Sequence, residues 1–333
     1  MTDATIVFGL AWGDEGKGKV TSQLAASGNF DMVCRWAGGN NAGHTIYKDG
    51  KKYKTHLIPS GVFYGVPSVI GPGCVIHWDS FLGEIEYLIS NDFDTSLVKI
   101  SPKAHIVLDE HIEDDIRNLS SHLGTTSKGI APCYAAKAFR SGLRVEDVKE
   151  IREMGFVWDE ILGDKILCEG AQGFWLDMDW GNYPYVTSST TLPYGACSLG
   201  FSPKNITSII GVSKMYDTRS GEDPDFPISL FENEELEKIA NLGSEFGVTT
   251  GRRRKVNYLN LDKLIKAIQV SGANKVILNK ADILEKANIF KLFHNGELKQ
   301  FKNIEFMKRY IRNSIWSYDV KTDIRFSSNP ETI

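Results

Sequence analysis

The sequence lacks the cysteine patterns of disulfide-rich and zinc-binding proteins. Its five cysteines are scattered through 333 residues, and none belongs to a Cys-x-x-Cys pair. This usage argues against a disulfide framework and a zinc site, and it favours a reducing cytoplasm as the setting. The segment Met1–Ala4 carries no cationic region, so we expect no signal peptide.

Long apolar runs and a strong excess of one charge are also missing. The longest uncharged stretch, Gly61–Trp78, is interrupted by four glycines and two prolines, which predicts strand, turn and strand rather than a spanning helix. The 38 basic and 42 acidic residues give a formal charge of −4. We therefore expect a cytoplasmic protein that binds neither membranes nor nucleic acid in bulk.

The most informative stretch that is present is Gly9–Lys19, with the sequence GLAWGDEGKGK. It follows the apolar run Ile6–Phe8, so it predicts a strand, a phosphate-binding loop and a helix. A plain glycine-rich connection is the alternative interpretation. The spacing differs from the Walker motif, and Asp14 lies inside the loop. A carboxylate is unfavourable beside phosphates unless it holds Mg²⁺ or takes up a proton.

Three further glycine-rich turns carry polar side chains. Gly38–Thr45 contains His44, Gly124–Pro132 is rich in hydroxyl groups, and Glu169–Gly173 follows the apolar run Ile166–Cys168. A lone histidine is more often structural, and the second turn is as easily a surface loop. The flanking glycines nevertheless indicate close backbone approach to a ligand.

Two stretches in the last third point to anions and to a purine base. Phe246–Lys255 places four cations behind two threonines and a glycine, which favours either a solvated run or a clamp for carboxylates and phosphates. Asn279–Asp282 has the pattern N-K-x-D after an apolar strand. A carboxylate there accepts hydrogen bonds from guanine N1–H and its exocyclic amine.

These stretches predict an α/β fold with a central, mostly parallel sheet. They lie mostly at the ends of predicted strands, and ligands bind along the carboxyl edge of such sheets. The chain has no internal repeat, low-complexity tract or linker. We therefore expect one large domain spanning residues 1–333.

Taken together, the motifs resemble those of the adenylosuccinate synthetase family. The matching segments are Trp12–Lys19, Asn41–Thr45, Gly124–Thr126, Arg140, Gly142–Arg144, Glu169–Gly173, Tyr183–Ser189 and Thr249–Arg254. The segments are ordered along the chain, and the match spans nearly all of it. The length resembles the compact archaeal and viral members of the family.

The resemblance implies a fold related to P-loop NTPases and a GTP-dependent ligase. In this reaction IMP, L-aspartate and GTP give adenylosuccinate, GDP and phosphate through a 6-phosphoryl-IMP intermediate. The implied catalytic residues are Asp14 as base, His44 as acid and Lys17. Mg²⁺ is the implied cofactor, held by Asp14 and the Gly43 carbonyl.

The resemblance also implies three sets of binding residues. IMP contacts fall on Asn41, Thr126, Arg140, Gln172 and Thr187. L-Aspartate contacts fall on Thr250, Arg252 and Arg254, and GTP contacts on Gly13, Gly16, Lys17, Gly18, Lys280, Asp282 and Ser327. Arg140 is expected to reach the site of the partner subunit, so a homodimer is implied.

Departures from the family pattern leave two alternatives open. A frequent acidic residue is Ser22 here, an apolar nucleotide-contacting residue is Ser220, and the turn after Thr126 reads Ser127-Lys128. Viral relatives of similar length condense L-aspartate with dGMP and sometimes use ATP, although they typically replace the loop aspartate by serine. A GTP-binding switch protein is the more distant alternative.

Overall fold

The computed structural model describes residues 2–226, 233–246, 251 and 253–328. In this part of the chain the largest sheet has eight strands, and all seven of its strand pairs are parallel. In spatial order the strands are β16 (Asp323–Phe326), β13 (Lys275–Asn279), β10 (Ile206–Lys214), β1 (Asp3–Gly9), β9 (Lys165–Glu169), β2 (Met32–Arg35), β5 (Ser68–Ile70) and β7 (Val98–Ile100).

The remaining strands form three smaller sheets. They are a mixed sheet of β11 (Tyr216–Arg219), β12 (Lys255–Asn260), β14 (Lys291–His294) and β15 (Glu297–Gln300), an antiparallel hairpin of β3 (His44–Lys48) and β4 (Lys51–Thr55), and a parallel pair of β6 (Val75–His77) and β8 (His105–Val107).

Helices cover the sheet and connect its strands. They are α1 (Lys17–Ala26), α2 (Trp78–Ser90), α3 (Asp109–Asn118), α4 (Ser120–Leu123), α5 (Ile130–Phe139), α6 (Lys149–Glu153), α7 (Glu234–Gly243), α8 (Leu261–Ser271), α9 (Ala281–Ala287) and α10 (Ile304–Trp316). No helix in the described ranges is long and apolar enough to cross a membrane.

Helix α8 illustrates how local sequence determines an element. The Asn260 side chain accepts a hydrogen bond from the Lys263 backbone N–H and caps the first turn. The helix ends at Gly272, whose φ of 70° is in the left-handed region that glycine adopts without strain. Leu264 and Ile268 share a face and are buried in the main core.

Strand β1 separates two apolar layers. Ile6 and Phe8 point into the core cluster that also contains Trp36, whereas Val7 packs on the opposite face with Val20 of α1. Burial of each large apolar side chain contributes about 1.5–3 kcal/mol. Both faces of the strand are therefore covered, as is usual for parallel sheets. The α/β architecture with a mostly parallel central sheet is confirmed.

Candidate active site

The candidate site is a cleft of about 770 Å³ at the carboxyl edge of the central sheet. Five neighbouring strands end there, and their last residues are Arg35 of β2, Glu169 of β9, Gly9 of β1, Lys214 of β10 and Asn279 of β13. The cleft is lined by most of the sequence-predicted residues: Gly13, Asp14, Gly16, Lys17, Gly18, Asn41, Gly43, His44, Thr126, Gln172, Thr187, Arg254, Lys280, Asp282 and Ser327.

The loop between β1 and α1 has the backbone expected of a close approach to a ligand. Gly13, Asp14 and Gly16 have φ angles of 88°, 61° and 93°. Aspartate tolerates this left-handed region better than most residues. The φ angle of Gly16 favours glycine, and a Cβ atom there would also lie 2.9 Å from Asn279 Nδ2. Helix α1 then begins at Lys17 and presents its positive end to the cleft.

Glu15, which the sequence analysis did not single out, organises this loop. It is almost fully buried, and its Oε1 accepts hydrogen bonds from the backbone N–H groups of Ala11 (3.1 Å) and Gly13 (2.9 Å). Its Oε2 lies 2.5 Å from Lys17 Nζ. The Lys17 ammonium group is thereby held at the cleft, and the Glu15 carboxylate balances its charge when no phosphate is bound.

His44 lies behind the loop and pairs with a buried carboxylate. Its Nδ1 contacts Glu169, whose Oε2 accepts hydrogen bonds from the Ser60 backbone N–H (3.0 Å) and hydroxyl (2.9 Å). Burial lowers the pKa of His44 although Glu169 opposes this effect. Burial would raise the pKa of Glu169, but His44 and the Ser60 hydrogen bonds bring it below its usual value. An ionised carboxylate only accepts, so Nδ1 carries a proton.

A chain of alternating charges ends at Asp14. Arg254 donates from Nε to Asp14 Oδ2 (2.8 Å) and from a terminal nitrogen to Glu245 Oε2 (2.7 Å). Lys214 Nζ also donates to Glu245 Oε2 (2.9 Å), and the Tyr216 hydroxyl donates to Oε1 (2.6 Å). Burial raises the pKa of Glu245, but Lys214, Arg254 and Tyr216 together lower it to about 2. Glu245 is therefore a carboxylate at any pH near neutrality.

One region of the cleft is lined by amides and hydroxyls. Gln172 Nε2 lies 3.5 Å from Asn41 Oδ1, and Gln172 Oε1 accepts a hydrogen bond from the Ser189 hydroxyl (2.9 Å). The hydroxyl oxygens of Thr187 and Ser189 lie 3.2 Å apart. Groups that both donate and accept are suited to the polar edge of a purine base.

A second region contains the N-K-x-D residues. Asp282 lies in the first turn of α9, and Ser327 follows the neighbouring strand β16. Lys19 Nζ donates to Ser327 Oγ (2.7 Å). Burial lowers the pKa of Lys19 to about 8, although Asp282 acts in the opposite direction. The region around Gln172 and the region around Asp282 therefore line the same cleft.

Three predicted residues stand apart from the others. Arg140 ends helix α5, is exposed, and does not line the cleft of its own chain. The neighbouring Phe139 side chain is 81% exposed. Thr250 and Arg252 lie outside the described residues.

Comparison with known sequences identifies the family. The model of the family described as adenylosuccinate synthetase matches residues 6–161 and 153–305. The adenylosuccinate synthetase of Lysinibacillus sphaericus is 39% identical over 344 residues, which cover 87% of this chain and 79% of the relative. That of Trichoplax adhaerens is 36% identical and covers 98% of this chain and 88% of the relative. The chain belongs to the adenylosuccinate synthetase family.

Solved structures agree with this family assignment. A fully ligated adenylosuccinate synthetase from Plasmodium falciparum is 28% identical, with a TM-score of 0.83, and covers 99% of this chain and 98% of its own. The succinoaminodeoxyadenylate synthetase of cyanophage S-2L, bound to dGMP and dATP, shares the fold with a TM-score of 0.67 at 21% identity. As an adenylosuccinate synthetase family member, this chain is a ligase that forms a carbon–nitrogen bond.

The buried carboxylates that hold the cations of this synthetase family site were not predicted from the sequence. Glu15 belongs to the predicted loop Gly9–Lys19, but the order of residues does not show that it pairs with Lys17. Glu245 and Lys214 are 31 residues apart and meet only in the fold. The one local signal for Glu245 is that it directly precedes the predicted segment Phe246–Lys255, whereas Lys214 adjoins no predicted site segment.

Glu245 offers a stability test of this charge network. Glu245→Gln removes a carboxylate from between two buried cations, so we expect the free energy of unfolding at pH 7 to fall by about 3 kcal/mol. Urea unfolding, followed by tryptophan fluorescence and circular dichroism, measures the change. The control is Glu160→Gln, because Glu160 pairs with Lys103 on the surface at 2.7 Å. That variant should change by less than about 0.5 kcal/mol. Equal small losses in both variants would contradict the account.

Proposed function

We propose that this protein joins IMP to L-aspartate at the expense of GTP and yields adenylosuccinate, GDP and phosphate. The observation that carries the proposal is the assembly of Asp14, Gln172 and Asp282 around one cleft. It supports a purine acceptor on one side and a guanine nucleotide on the other.

The first step activates C6 of IMP. Asp14 removes the proton from N1, and the electrons of that bond move to O6, which then attacks the γ-phosphorus of GTP. GDP leaves, and O6 carries the phosphoryl group. The Asp14 carboxylate is suited to this role because it is partly exposed to the cleft and lies in a loop shaped for phosphates.

Lys17 and His44 stabilise the charge on the transferred phosphoryl group. Lys17 and the positive end of α1 attract the three equatorial oxygens. The proton on His44 Nδ1 is engaged with Glu169, so Nε2 is the nitrogen available to the substrate. An arriving phosphate favours a second proton on the ring, and ionised Glu169 compensates the resulting cation.

The second step forms the new carbon–nitrogen bond. The amine of L-aspartate attacks C6, the C6–O6 bond breaks, and phosphate leaves with O6, while the amine loses a proton. Arg254, with Thr250 and Arg252, is proposed to bind the carboxylates of L-aspartate. Arg254 reaches Asp14 in this structure, which supports a position close to the reacting purine.

The residues present fit a magnesium ion. Asp14 Oδ1 accepts no hydrogen bond from the described residues, so its two lone pairs could serve both the ion and the N1 proton, and the Gly43 backbone lines the same cleft. No group of three or more His, Cys, Asp or Glu side chains in the described ranges could hold a metal alone. This suits Mg²⁺, which is usually bound by one or two carboxylates and substrate phosphates. The ion would neutralise charge that develops on the GTP phosphates.

Asp282 is proposed to select guanine in the donor nucleotide. Its carboxylate accepts from N1–H and the exocyclic amine of guanine, whereas adenine has no donor at N1. Lys280 donates to the Gly243 carbonyl (3.0 Å), which ties the loop before α9 to α7. Ser327 lies beside the same pocket.

A homodimer with shared sites completes the proposal. Arg140 is exposed, does not line its own cleft, and lies beside the exposed Phe139. In the partner's site its guanidinium would bind the IMP phosphate.

Substrate dependence tests the proposed reaction. With Mg²⁺, we expect phosphate release from GTP only when both IMP and L-aspartate are present, because O6 is the nucleophile and the amine completes turnover. Replacement of IMP by dGMP, or of GTP by ATP, should reduce the rate at least about 100-fold. A preference for dGMP would assign the protein to the viral type of reaction. Release without L-aspartate or IMP would leave only a GTPase.

Asp14→Asn tests the proposed base. An amide cannot take the N1 proton, so kcat should fall about 100-fold or more. Binding of IMP and GTP, measured by calorimetry, should be retained in part. Turnover within a few-fold of the parent would contradict the role of Asp14.

A purified hybrid of one Asp14→Asn subunit and one Arg140→Leu subunit extends the test to the dimer. It contains one complete site, so it should show about half of the parent activity per dimer. A hybrid as inactive as either single variant would contradict shared sites.

A further inference from the structure

Ser220 touches the proposed base directly. It follows β11, and its hydroxyl donates a hydrogen bond to Asp14 Oδ2 at 3.0 Å. The preceding residue, Arg219, is buried and donates to the backbone carbonyls of Tyr185 (2.7 Å) and Glu222 (2.9 Å). The backbone that carries Ser220 is therefore anchored, while its side chain remains in the cleft.

The two oxygens of the Asp14 carboxylate have different surroundings. Oδ2 accepts from Ser220 and from Arg254 Nε, at 3.0 and 2.8 Å. Oδ1 accepts no hydrogen bond from the described residues. Two donors on one oxygen restrict rotation of the carboxylate plane, so they also determine the direction of the other oxygen.

We propose that Ser220 is a positioning residue that, with Arg254, orients Asp14 so that Oδ1 faces the substrate. This inference rests on the proposed role of Asp14 as base. Arg254 supplies a charge and is itself held by Glu245. Ser220 donates a second hydrogen bond to Oδ2 from a different direction and adds no charge. Two hydrogen bonds from different directions are needed to define the carboxylate plane.

If Ser220 had a purely structural role, its replacement would lower the melting temperature. Ser220 is exposed, and its only side-chain hydrogen bond to a described residue is the one to Asp14. Loss of its hydroxyl leaves no buried group unsatisfied, so the melting temperature should change little. An effect of the hydroxyl on turnover is then expected to act through Asp14, the described residue with which the hydroxyl forms its hydrogen bond.

Thr and Val at position 220 form a matched pair, because they have the same shape and differ in one hydroxyl. We expect Ser220→Val and Ser220→Ala to lower kcat about 10-fold, since misplacement of a catalytic group slows the chemical step. The KM for IMP should be alike in the Val and Thr variants, because position 220 lines the cleft and the two side chains present the same shape to a bound nucleotide. Ser220→Thr should restore most of the lost kcat. Equal kcat in the Thr and Val variants, or parent kcat in the Ala variant, would overturn the proposal.

Crystal structures of the same variants separate this inference from the proposed function. In ligand-free Ser220→Val we expect the Asp14 carboxylate to be rotated or to occupy more than one orientation, whereas Ser220→Thr should match the parent. An unchanged Asp14 in Ser220→Val would overturn the positioning role. Absence of turnover with IMP, GTP and L-aspartate in the parent would refute the proposed function alone, and the structures would still decide the role of Ser220.

Discussion

The meeting of five parallel strands at one edge is the constraint on which the rest of the structure depends. Because β2, β9, β1, β10 and β13 are neighbours and point the same way, the segments that follow them line a single cleft. The segments that follow these strands are far apart in the chain. The loop after β1 supplies Asp14, and the first turn of α9, directly after β13, supplies Asp282, so the proposed base and the proposed guanine-reading carboxylate line one cavity. No local motif could bring them together without the sheet.

Electrostatics imposes the second requirement on this cleft. The proposed binding of two nucleotides and a dicarboxylate needs cations, yet cations buried without a partner would oppose folding. The structure resolves the conflict with buried carboxylates: Glu15 pairs with Lys17, and Glu245 with Lys214 and Arg254. These pairs hold the cationic groups in position at the cleft before any substrate arrives, so little reorganisation is required when phosphates bind.

Patterns that depend on neighbouring residues were predicted well. The strand–loop–helix around Asp14 and the strand before Asn279 follow from apolar runs and glycines. The order of strands in the sheet and the pairing of His44 with Glu169, which are 125 residues apart, depend on long-range packing that no local pattern reports. For the same reason the departure at Ser220 was visible in the sequence, whereas its contact with Asp14 was visible only in the fold.

The central claim is that O6 of the purine becomes an oxygen of the released phosphate. IMP labelled with ¹⁸O at position 6, incubated with GTP, L-aspartate and Mg²⁺, tests it most directly. Mass spectrometry of the phosphate should find one ¹⁸O atom per molecule released, because the C6–O6 bond breaks after O6 has accepted the phosphoryl group. Phosphate without the label would show that GTP is hydrolysed by water, and it would contradict the role assigned to Asp14 and to the cleft as a whole.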